Sequence, residues 1–420
     1  MAEKSSKKAL LRKVFTDSMW SVAGLVLMNA VAQFVIYPIW NRELGNELYG
    51  RIIYLIAGMN ILAVSMGVSC NYARMKASAG GKTGNGTYTR ILLITSAGLI
   101  PYCLIVTLLA GGPGFSAVEA ILLIVLAIAT MWRFYADVEY RLSLNYRGCF
   151  VYYLVVSLGY GVGILLFLWT KLWPLALLPG ELAGLALIYL RGTVLRRAEE
   201  PESAEEQKAI TRMVMTLFVT EIISNLIANG DRVMLNLAMG GTAVTIYYQA
   251  SLAGKTMTLV TTPLNSVLIG YLARYKKGLD RRIMRIVLIG AVAAMIVATG
   301  ICVLGSYILI KLLYPQNYDL VKPYFLTASI AQVSFFVSGV AATVLLRFCK
   351  TRYQLYINLV YAGLYAALCI PGMLLWQLDG LCAGMMLAGV LKLCYVIWLG
   401  YRSIGKGEQN DPEGSAGQGL

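Results

Sequence analysis

The sequence contains no histidine, and only 14% of its 420 residues are charged. Histidine is the commonest metal ligand and general base, so its absence excludes a Ser–His–Asp centre and most metal catalysis. No glycine-rich loop of the GxxxxGK[ST] type is present, which excludes a P-loop ATPase. The eight cysteines show no CxxC spacing and lie in or beside apolar runs, as small buried hydrophobes do. We therefore predict no enzyme activity, no metal and no cofactor.

What the sequence has in excess is apolar residues. They make up 58% of the chain, and the mean hydropathy is +0.68. A soluble domain has about 45–50% apolar and about 25% charged residues, and a transmembrane helix needs about 20 apolar residues. The chain is predicted to be an all-α polytopic membrane protein. We predict twelve spans, at residues 18–40, 50–73, 90–110, 116–136, 149–170, 173–191, 213–238, 245–272, 286–310, 323–346, 353–375 and 378–400.

The positions of the 36 lysines and arginines predict the orientation, because cytoplasmic loops are enriched in these residues. With the N-terminus inside, five lie in outer loops, and they are Arg42, Arg51, Lys171, Lys311 and Lys322. Three lie within spans, and they are Arg232, Lys255 and Lys392. The other 28 lie on the inner side. Both termini are therefore predicted to be cytoplasmic, and the net charge of +15 is a topology signal that predicts no nucleic-acid partner.

The chain is predicted to have two parts around a central cavity. Residues 1–191 form one six-helix bundle and residues 212–405 a second. Residues 192–211 read as a solvated cytoplasmic linker, because they are rich in charge and contain Pro and Ser. Residues 406–420 read as a disordered tail. This layout is typical of transporters built from structural repeats.

Three motifs carry a resemblance to a known family. The first is Trp40-Asn-Arg-Glu-Leu-Gly-Asn-Glu-Leu-Tyr-Gly50, which is similar to an R-x-LG-x-E-x-[YF]G signature. The second is Asp231-Arg232-Val-Met-Leu, followed by Gly240-Gly241 and Tyr247-Tyr-Gln-Ala250, with Thr245 where the family usually has Gly. The third is Leu313-Tyr-Pro-Gln-Asn-Tyr318, with Pro315 in place of a Gly. Together they resemble the oligosaccharide (polysaccharide-transport) flippases of the multidrug/oligosaccharidyl-lipid/polysaccharide flippase superfamily.

The resemblance implies a flippase that moves undecaprenyl-diphosphate-linked glycan across the bacterial cytoplasmic membrane by alternating access. It implies as partners this substrate, the lipid bilayer and the polysaccharide polymerase machinery. Two alternatives stay open within the superfamily, namely a multidrug or cation antiporter, whose cavity would be acidic and aromatic, and a lipid II flippase. A membrane enzyme is a rival class, but it usually needs a sizeable outer loop or a histidine, and this chain has neither.

Ionisable residues within spans are costly, so they are candidates for function. We expect Arg232 and Lys255 to pair with the diphosphate, although Asp231 or Glu221 could hold either cation in a structural ion pair. Lys392 is a further candidate that could instead extend toward the inner surface. Glu221, Asp231 and Glu181 could bind a coupling ion, H⁺ or Na⁺.

Polar uncharged residues extend the candidate cavity lining. Asn225 and Asn229 follow Glu221 at intervals of four residues, which places all three on one helix face. The first two spans add Asn29, Gln33 and Asn60. A polar stripe of this kind faces a water-filled cavity or bonds one helix to another. At the inner end of the fourth span, Asp137 and Glu139 alternate with Arg133 and Arg141, which we interpret as a solvated ion network or an inner gate.

Overall fold

The computed structural model describes residues 19–79, 84–111, 115–195, 203–257, 281–348 and 352–406. All regular structure in these ranges is helical. The helices are α1 (19–31), α2 (Tyr37–Ala79), α3 (Gly86–Leu109), α4 (Ala117–Ala136), α5 (Val138–Leu142), α6 (Tyr146–Thr170), α7 (Leu178–Arg191), α8 (Ala204–Met239), α9 (Gly241–Ala250), α10 (252–257), α11 (Arg281–Leu313), α12 (Tyr318–Val321), α13 (Phe325–Phe348) and α14 (Arg352–Lys406). A π-helical turn, Ala32–Ile36, joins α1 to α2.

Two helices contain the breaks that the hydropathy pattern requires. α2 is interrupted at Gly45, whose φ is 77°, a conformation that glycine adopts without the steric cost other residues incur. α14 is interrupted at Trp376 and Gln377, with a φ of 52° at Gln377. Both breaks fall between predicted spans, so each long helix is divided where the chain is predicted to reach the outer surface.

Local sequence explains where helices begin. Ser116 and Glu119 form a capping box at the start of α4, and Ser203 and Glu206 form another at the start of α8. In each box the serine hydroxyl accepts from the backbone N–H three residues later, while the glutamate accepts from the serine backbone N–H. These bonds satisfy N–H groups that have no partner within a helix.

Eight helical segments among the described residues are long and apolar enough to cross a membrane. Met19–Ser78, with 60 residues, and Tyr356–Ile404, with 49, are each long enough for two crossings. The chain is therefore a polytopic helical membrane protein, as predicted. The exact number of twelve spans stays a prediction, because residues 258–272 of the eighth predicted span lie outside the described residues.

The chain divides into two compact units, residues 1–245 and residues 246–420. In the first unit, α8 packs along α2, α6 packs against α7, and α4 packs against α2 and α7. In the second unit, α13 packs against α14 and α11. The predicted bundle boundary at residues 192–211 stays a prediction; by packing alone, the first unit continues through α8.

The core of the second unit consists of two apolar clusters. One is centred on Leu345 and Val396, and the other on Cys302 and Val337. The break at Trp376 and Gln377 divides α14 into a first and a second arm. Leu393, on the second arm, packs against both clusters. The neighbouring residue, Lys392, is thereby held at the interface of the helices that form this core.

Candidate substrate-binding site

The polar stripe on α8 contacts α2. The Asn225 amide donates to the Ser65 hydroxyl at 3.0 Å and to the Glu221 carbonyl at 3.1 Å. The Asn229 amide donates to the Asn225 carbonyl at 3.0 Å. Glu221 itself is half-buried, and within the described residues its carboxylate forms no ion pair. At Asn225 the stripe therefore bonds α8 to α2. One turn earlier, at Glu221, it contains a carboxylate that forms no ion pair among the described residues.

The motif residues Asp231 and Arg232 lie at the next turn of α8. Arg232 Nη1 donates to Asn229 Oδ1 at 3.2 Å, and its Nε lies 3.9 Å from Asp231 Oδ1. The Asp231 carboxylate also accepts the backbone N–H of Arg232 at 2.8 Å. The positive charge of Arg232 thus has a carboxylate beside it on its own helix.

Glu181 lies in the interior of the first unit. It forms an ion pair with Arg133 of α4, and the Tyr160 hydroxyl donates to its other oxygen at 2.6 Å. Arg133 and Glu181 are each 3% exposed. Such a pair is costly to separate, because each partner alone would be an uncompensated buried charge.

The charges at the C-terminal end of α4 and in α5 are less exposed than the sequence indicates. Asp137 is buried, accepts from the Tyr153 hydroxyl at 2.9 Å and the Asn71 amide, and pairs with Arg141 at 3.2 Å. The interpretation of a solvated network is therefore wrong for Asp137, and also for Arg133. Alternating charges along a helix do not reveal which neighbouring helices cover them.

The remaining candidates of the first unit lie on the first two helices. The Asn29 amide donates to the Leu25 carbonyl of its own helix at 2.8 Å. Gln33 is half-buried within the π-helical turn, a feature that is frequent at functional sites. Asn60 is half-buried on α2. The role of these three residues as cavity lining stays a prediction.

In the second unit, Lys255 is held against aromatic rings. Its Nζ lies 5.3 Å from the ring centroid of Tyr247 and 5.5 Å from that of Tyr248. The backbone N–H of Lys255 donates to Ser251, and that of Ser251 donates to Tyr247, so the chain stays helical between them. Both distances lie within the range of a cation–π interaction.

Lys392 has a tighter arrangement of the same kind. Its Nζ lies 4.0 Å from the ring centroid of Phe335 on α13 and 4.5 Å from that of Tyr361 on the first arm of α14. The side chain is enclosed, since Lys392 is only 4% exposed. Lys392 therefore lies in the interior of the second unit.

The first two sequence motifs meet in a close contact, which we call the α2–α9 seam. Glu47 accepts the backbone N–H of Gly241 at 3.1 Å and of Thr242 at 2.8 Å. Thr245, the residue that departs from the family pattern, donates its hydroxyl to the Asn46 carbonyl at 2.6 Å. A glycine at position 245 could not make this bond.

Two glycines make the seam possible. A Cβ at Gly50 would lie 1.7 Å from the Gly241 carbonyl oxygen, and a Cβ at Gly241 would lie 2.0 Å from the Glu47 carbonyl oxygen. Neither distance is compatible with a side chain, so the two backbones approach as closely as they do only because both residues are glycine.

The second and third motifs also contact one another, within the second unit. The Asn317 amide donates to the Gln249 side-chain oxygen at 3.0 Å, and both residues are buried. The motif residues with these contacts therefore join the ends of helices to one another.

Sequence reasoning missed the residues that hold the two lysines. Tyr247 and Tyr248 precede Lys255 by eight and seven residues, two helical turns, so this relationship was accessible from spacing. Phe335 and Tyr361 come from other helices than Lys392, and no spacing links them to it. The Arg133 partner of Glu181 was likewise hidden, because α4 and α7 meet only in the folded chain.

Comparison with known proteins establishes the fold. No family model and no curated protein matches this chain. Among solved structures, the lipid II flippase MurJ in an inward closed conformation has a TM-score of 0.64 at 10% identity, over 92% of this chain and 87% of MurJ. An outward-facing multidrug resistance MATE transporter of the MOP superfamily has a TM-score of 0.62 at 14% identity, over 93% of this chain and 96% of the transporter.

A third similar structure is a MOP superfamily transporter from Pyrococcus furiosus, described as having a binding pocket of reversed polarity that suggests a different function. Its TM-score is 0.59 at 14% identity, over 93% of this chain and 96% of that protein. At these identities the likeness shows the fold, which is the MATE- and MurJ-like helical fold of membrane transporters and flippases.

Proposed function

We propose that this chain is a flippase that translocates polyprenyl-diphosphate-linked oligosaccharide across the bacterial cytoplasmic membrane for the assembly of surface polysaccharide. The observation that carries the proposal is the chemistry of the second unit. Its spans contain two lysines, Lys255 and Lys392, and both lie against aromatic rings. An anionic cargo is the substrate class that such a unit would bind.

The contrast with the first unit supports this choice. There, Arg133 pairs with Glu181, Arg141 with Asp137, and Arg232 has Asp231 beside it. From residue 246 to residue 406 the sequence contains three acidic residues, Asp280, Asp319 and Asp379. The first two fall in predicted loops, and Asp379 falls at the outer end of the last span.

The difference matters because aromatic rings and carboxylates act differently on a cation. A carboxylate neutralises the charge of a lysine, whereas a ring attracts the lysine through its quadrupole and carries no net charge. The rings beside a lysine therefore add no negative charge that would compete with an anionic cargo. Lys255, about ten residues into the eighth predicted span, is our primary candidate for binding the cargo diphosphate.

The diphosphate and the sugars are the parts of the cargo that hydrocarbon rejects, whereas the polyprenyl chain is soluble in lipid. A flippase needs only to shield the polar part while the lipid chain stays in the bilayer. We propose that shielding alternates between the two membrane faces, and that the α2–α9 seam takes part in this alternation. The coupling ion, H⁺ or Na⁺, would bind at Glu221, which is half-buried.

Two alternatives follow from the structural neighbours. A cation exporter like the MATE transporters would need an acidic site for its substrate, and the second unit has no acidic residue inside its spans apart from Asp379 at one end. A lipid II flippase is favoured by the likeness to MurJ, and its cargo has the same polyprenyl-diphosphate chemistry. The glycan is what separates this alternative from the main proposal.

Depletion of the protein in its host followed by extraction of lipid-linked glycans tests the proposal. We expect a polyprenyl-diphosphate oligosaccharide to accumulate on the inner membrane face, with normal peptidoglycan. Accumulation of lipid II would favour the second alternative. Unchanged lipid pools together with sensitivity to cationic drugs would favour export.

A further inference from the structure

Lys392, Phe335 and Tyr361 form an enclosed group that we call the Lys392 cage. The two rings lie 5.4 Å apart between centroids, with an angle of 46° between their planes. The Lys392 ammonium is within 4.5 Å of both centroids. Each member comes from a different helical arm, so the cage is a product of tertiary packing and not of one helix.

No carboxylate reaches the cage in the described part of the chain. There, Lys392 Nζ forms no ion pair or hydrogen bond with another residue. The nearest acidic residue along the chain on the N-terminal side is Asp379, 13 residues away on the same arm of α14, which corresponds to about 20 Å. The charge of Lys392 is therefore not neutralised by the residues that surround it.

The close packing around Lys392 comes from its small and apolar neighbours. One turn before Lys392, a Cβ on Gly389 would lie 2.9 Å from Ser334 Cβ, so α13 and α14 are in close contact there. Leu393 fills the adjacent apolar clusters. Methionine would occupy the volume of the lysine stem without placing a charge among apolar groups, which is costly without a counter-ion. Among the described residues, the cationic head group of Lys392 therefore contributes to the packing only through its contacts with the two rings.

We propose that the Lys392 cage is a second anion-binding site, for a lipid-borne phosphate group, in which the rings hold the ammonium only while the site is empty. This inference rests on the proposed function, because it assigns a further residue to the same anionic cargo. On binding, the ammonium leaves the rings and pairs with phosphate oxygens.

The chemistry of the cage fits both polar parts of such a cargo. A phosphate offers several oxygens to the three N–H donors of an ammonium. Once the ammonium has moved, the ring faces of Phe335 and Tyr361 that it covered can pack on the C–H faces of a sugar. The same ligand chemistry occurs in phospholipid head groups, so the experiment must separate the two sources.

The test measures binding to the purified full-length protein in nanodiscs, by native mass spectrometry and by ligand-induced thermal shift. The probes are undecaprenyl diphosphate, phosphatidylglycerol and uncharged undecaprenol. The variants are Lys392→Met, Lys392→Arg and Phe335→Leu, with Lys311→Met as the matched control, because Lys311 is an exposed lysine in the last turn of α11.

We expect Lys392→Met to weaken undecaprenyl diphosphate binding about tenfold or more, and Lys392→Arg and Lys311→Met to stay within about threefold of wild type. The melting temperature of the empty Lys392→Met variant should be equal to or higher than that of wild type. Phe335→Leu should bind the diphosphate more tightly than wild type, because the ring that competes for the ammonium is gone. Should Lys392→Met fail to fold, Phe335→Leu decides, since a purely structural cage predicts unchanged or weaker binding there.

Wild-type affinity in Lys392→Met would overturn the inference while leaving the proposed function intact, provided that Lys255→Met loses binding. A wild-type protein that binds undecaprenyl diphosphate no better than undecaprenol would instead contradict the proposed function. In that case, phosphatidylglycerol binding by wild type that is lost in Lys392→Met supports a phosphate site for membrane lipid. Equal phosphatidylglycerol binding by wild type and Lys392→Met overturns the site.

Discussion

Glu47 and Thr242 are joined by two hydrogen bonds of 2.8 Å, one from the backbone N–H and one from the hydroxyl of Thr242, and both reach the same carboxylate oxygen. Thr242 lies in the first turn of α9, where backbone N–H groups lack helical partners and the helix dipole favours a negative charge. Glu47 therefore caps α9 from a different part of the chain. Because Glu47 lies in the hairpin after the first predicted span, this contact ties that hairpin to the one that follows α8.

The first prediction concerns the close approach of the two glycines. Gly241→Ala should prevent the seam from closing, since its Cβ would overlap the Glu47 carbonyl oxygen. An overpacking cost of about 1–3 kcal/mol corresponds to a loss of roughly 5- to 150-fold in the closed population. The measurement is the yield of cross-linking between cysteines placed at Asn46 and Thr245.

Gly98→Ala is the matched control for this prediction, because a Cβ at Gly98 on α3 meets nothing within 4 Å. Its cross-linking yield should equal that of wild type. An unchanged yield in Gly241→Ala would show that the seam does not depend on the glycine contact.

The second prediction is a pH dependence. Glu47 lies in the hairpin between the first two predicted spans. Burial acts to raise its pKa, but hydrogen bonds from Thr242 and Gly241 and the charge of Arg51 outweigh burial and lower the pKa below 4.5. A carboxyl group whose pKa is lowered in the closed seam stabilises the seam fully at pH values above its ordinary pKa. This stabilisation is lost as the pH falls through the lowered pKa.

The same cysteine pair reports the closed seam. The reacting thiolate becomes scarcer as pH falls, so the yield is divided by that of a control cysteine pair within one helix at the same pH. This ratio should be constant from neutral pH down to about the ordinary carboxyl pKa, and should fall only below it. In Glu47→Gln the ratio should be lower at neutral pH and independent of acid. A wild-type ratio that fell already near pH 6 would mean that another group controls the seam.

The third prediction concerns Lys255. Lys255→Ala should abolish polymer export while the protein remains inserted and stable, because the cation that pairs with the diphosphate is lost. Lys255→Arg should retain partial activity, since the charge remains but the geometry of its donors changes. Export is measured as surface polysaccharide, with membrane abundance of each variant quantified in parallel.

Lys311→Met, which removes an exposed lysine at the end of α11, serves as the control for loss of charge and should export normally. Wild-type export by Lys255→Ala would remove Lys255 from the site.

The fourth prediction separates structure from ion coupling at Glu181. Glu181→Gln leaves Arg133 as a buried cation, so the unfolding free energy should fall by about 3–5 kcal/mol. The double variant Glu181→Leu with Arg133→Leu should recover much of that loss, because an apolar pair replaces an ion pair at little net cost. Thermal unfolding of the purified proteins measures both changes.

Transport activity of the double variant is the second quantity measured. If Glu181 only supports the fold, transport should return with stability. A stable double variant that does not transport would show that Glu181 or Arg133 acts in transport as well as in the fold.

The sequence predicted the helical membrane architecture because hydropathy and turn chemistry are local properties. The break at Gly45 and the capping box at Ser203 follow from residues that are neighbours in sequence. The polar stripe of α8 was predictable as a stripe, but its contact with Ser65 on α2 was not. A stripe shows which face of a helix is polar and leaves open what that face contacts.

The candidate site was predictable in its charges and not in their environments. Lys392 was identified as a costly residue within a span, but its two rings come from distant positions in the chain. Glu181 was identified on the same grounds, and the structure places it in an ion pair with Arg133. Burial of a charge identifies an unusual residue, and only the fold shows whether the protein already supplies its partner.

The central claim is that the cargo is an anionic lipid-linked glycan, and flipping in proteoliposomes tests it most directly. The purified protein is reconstituted with a fluorescent undecaprenyl-diphosphate oligosaccharide, and the fraction of label accessible to a membrane-impermeant quencher is followed over time. We predict rapid flipping by wild type and by Lys311→Met, and none above empty vesicles by Lys255→Met. The account would be contradicted if wild type moved the diphosphate glycan no faster than empty vesicles do and instead transported an organic cation.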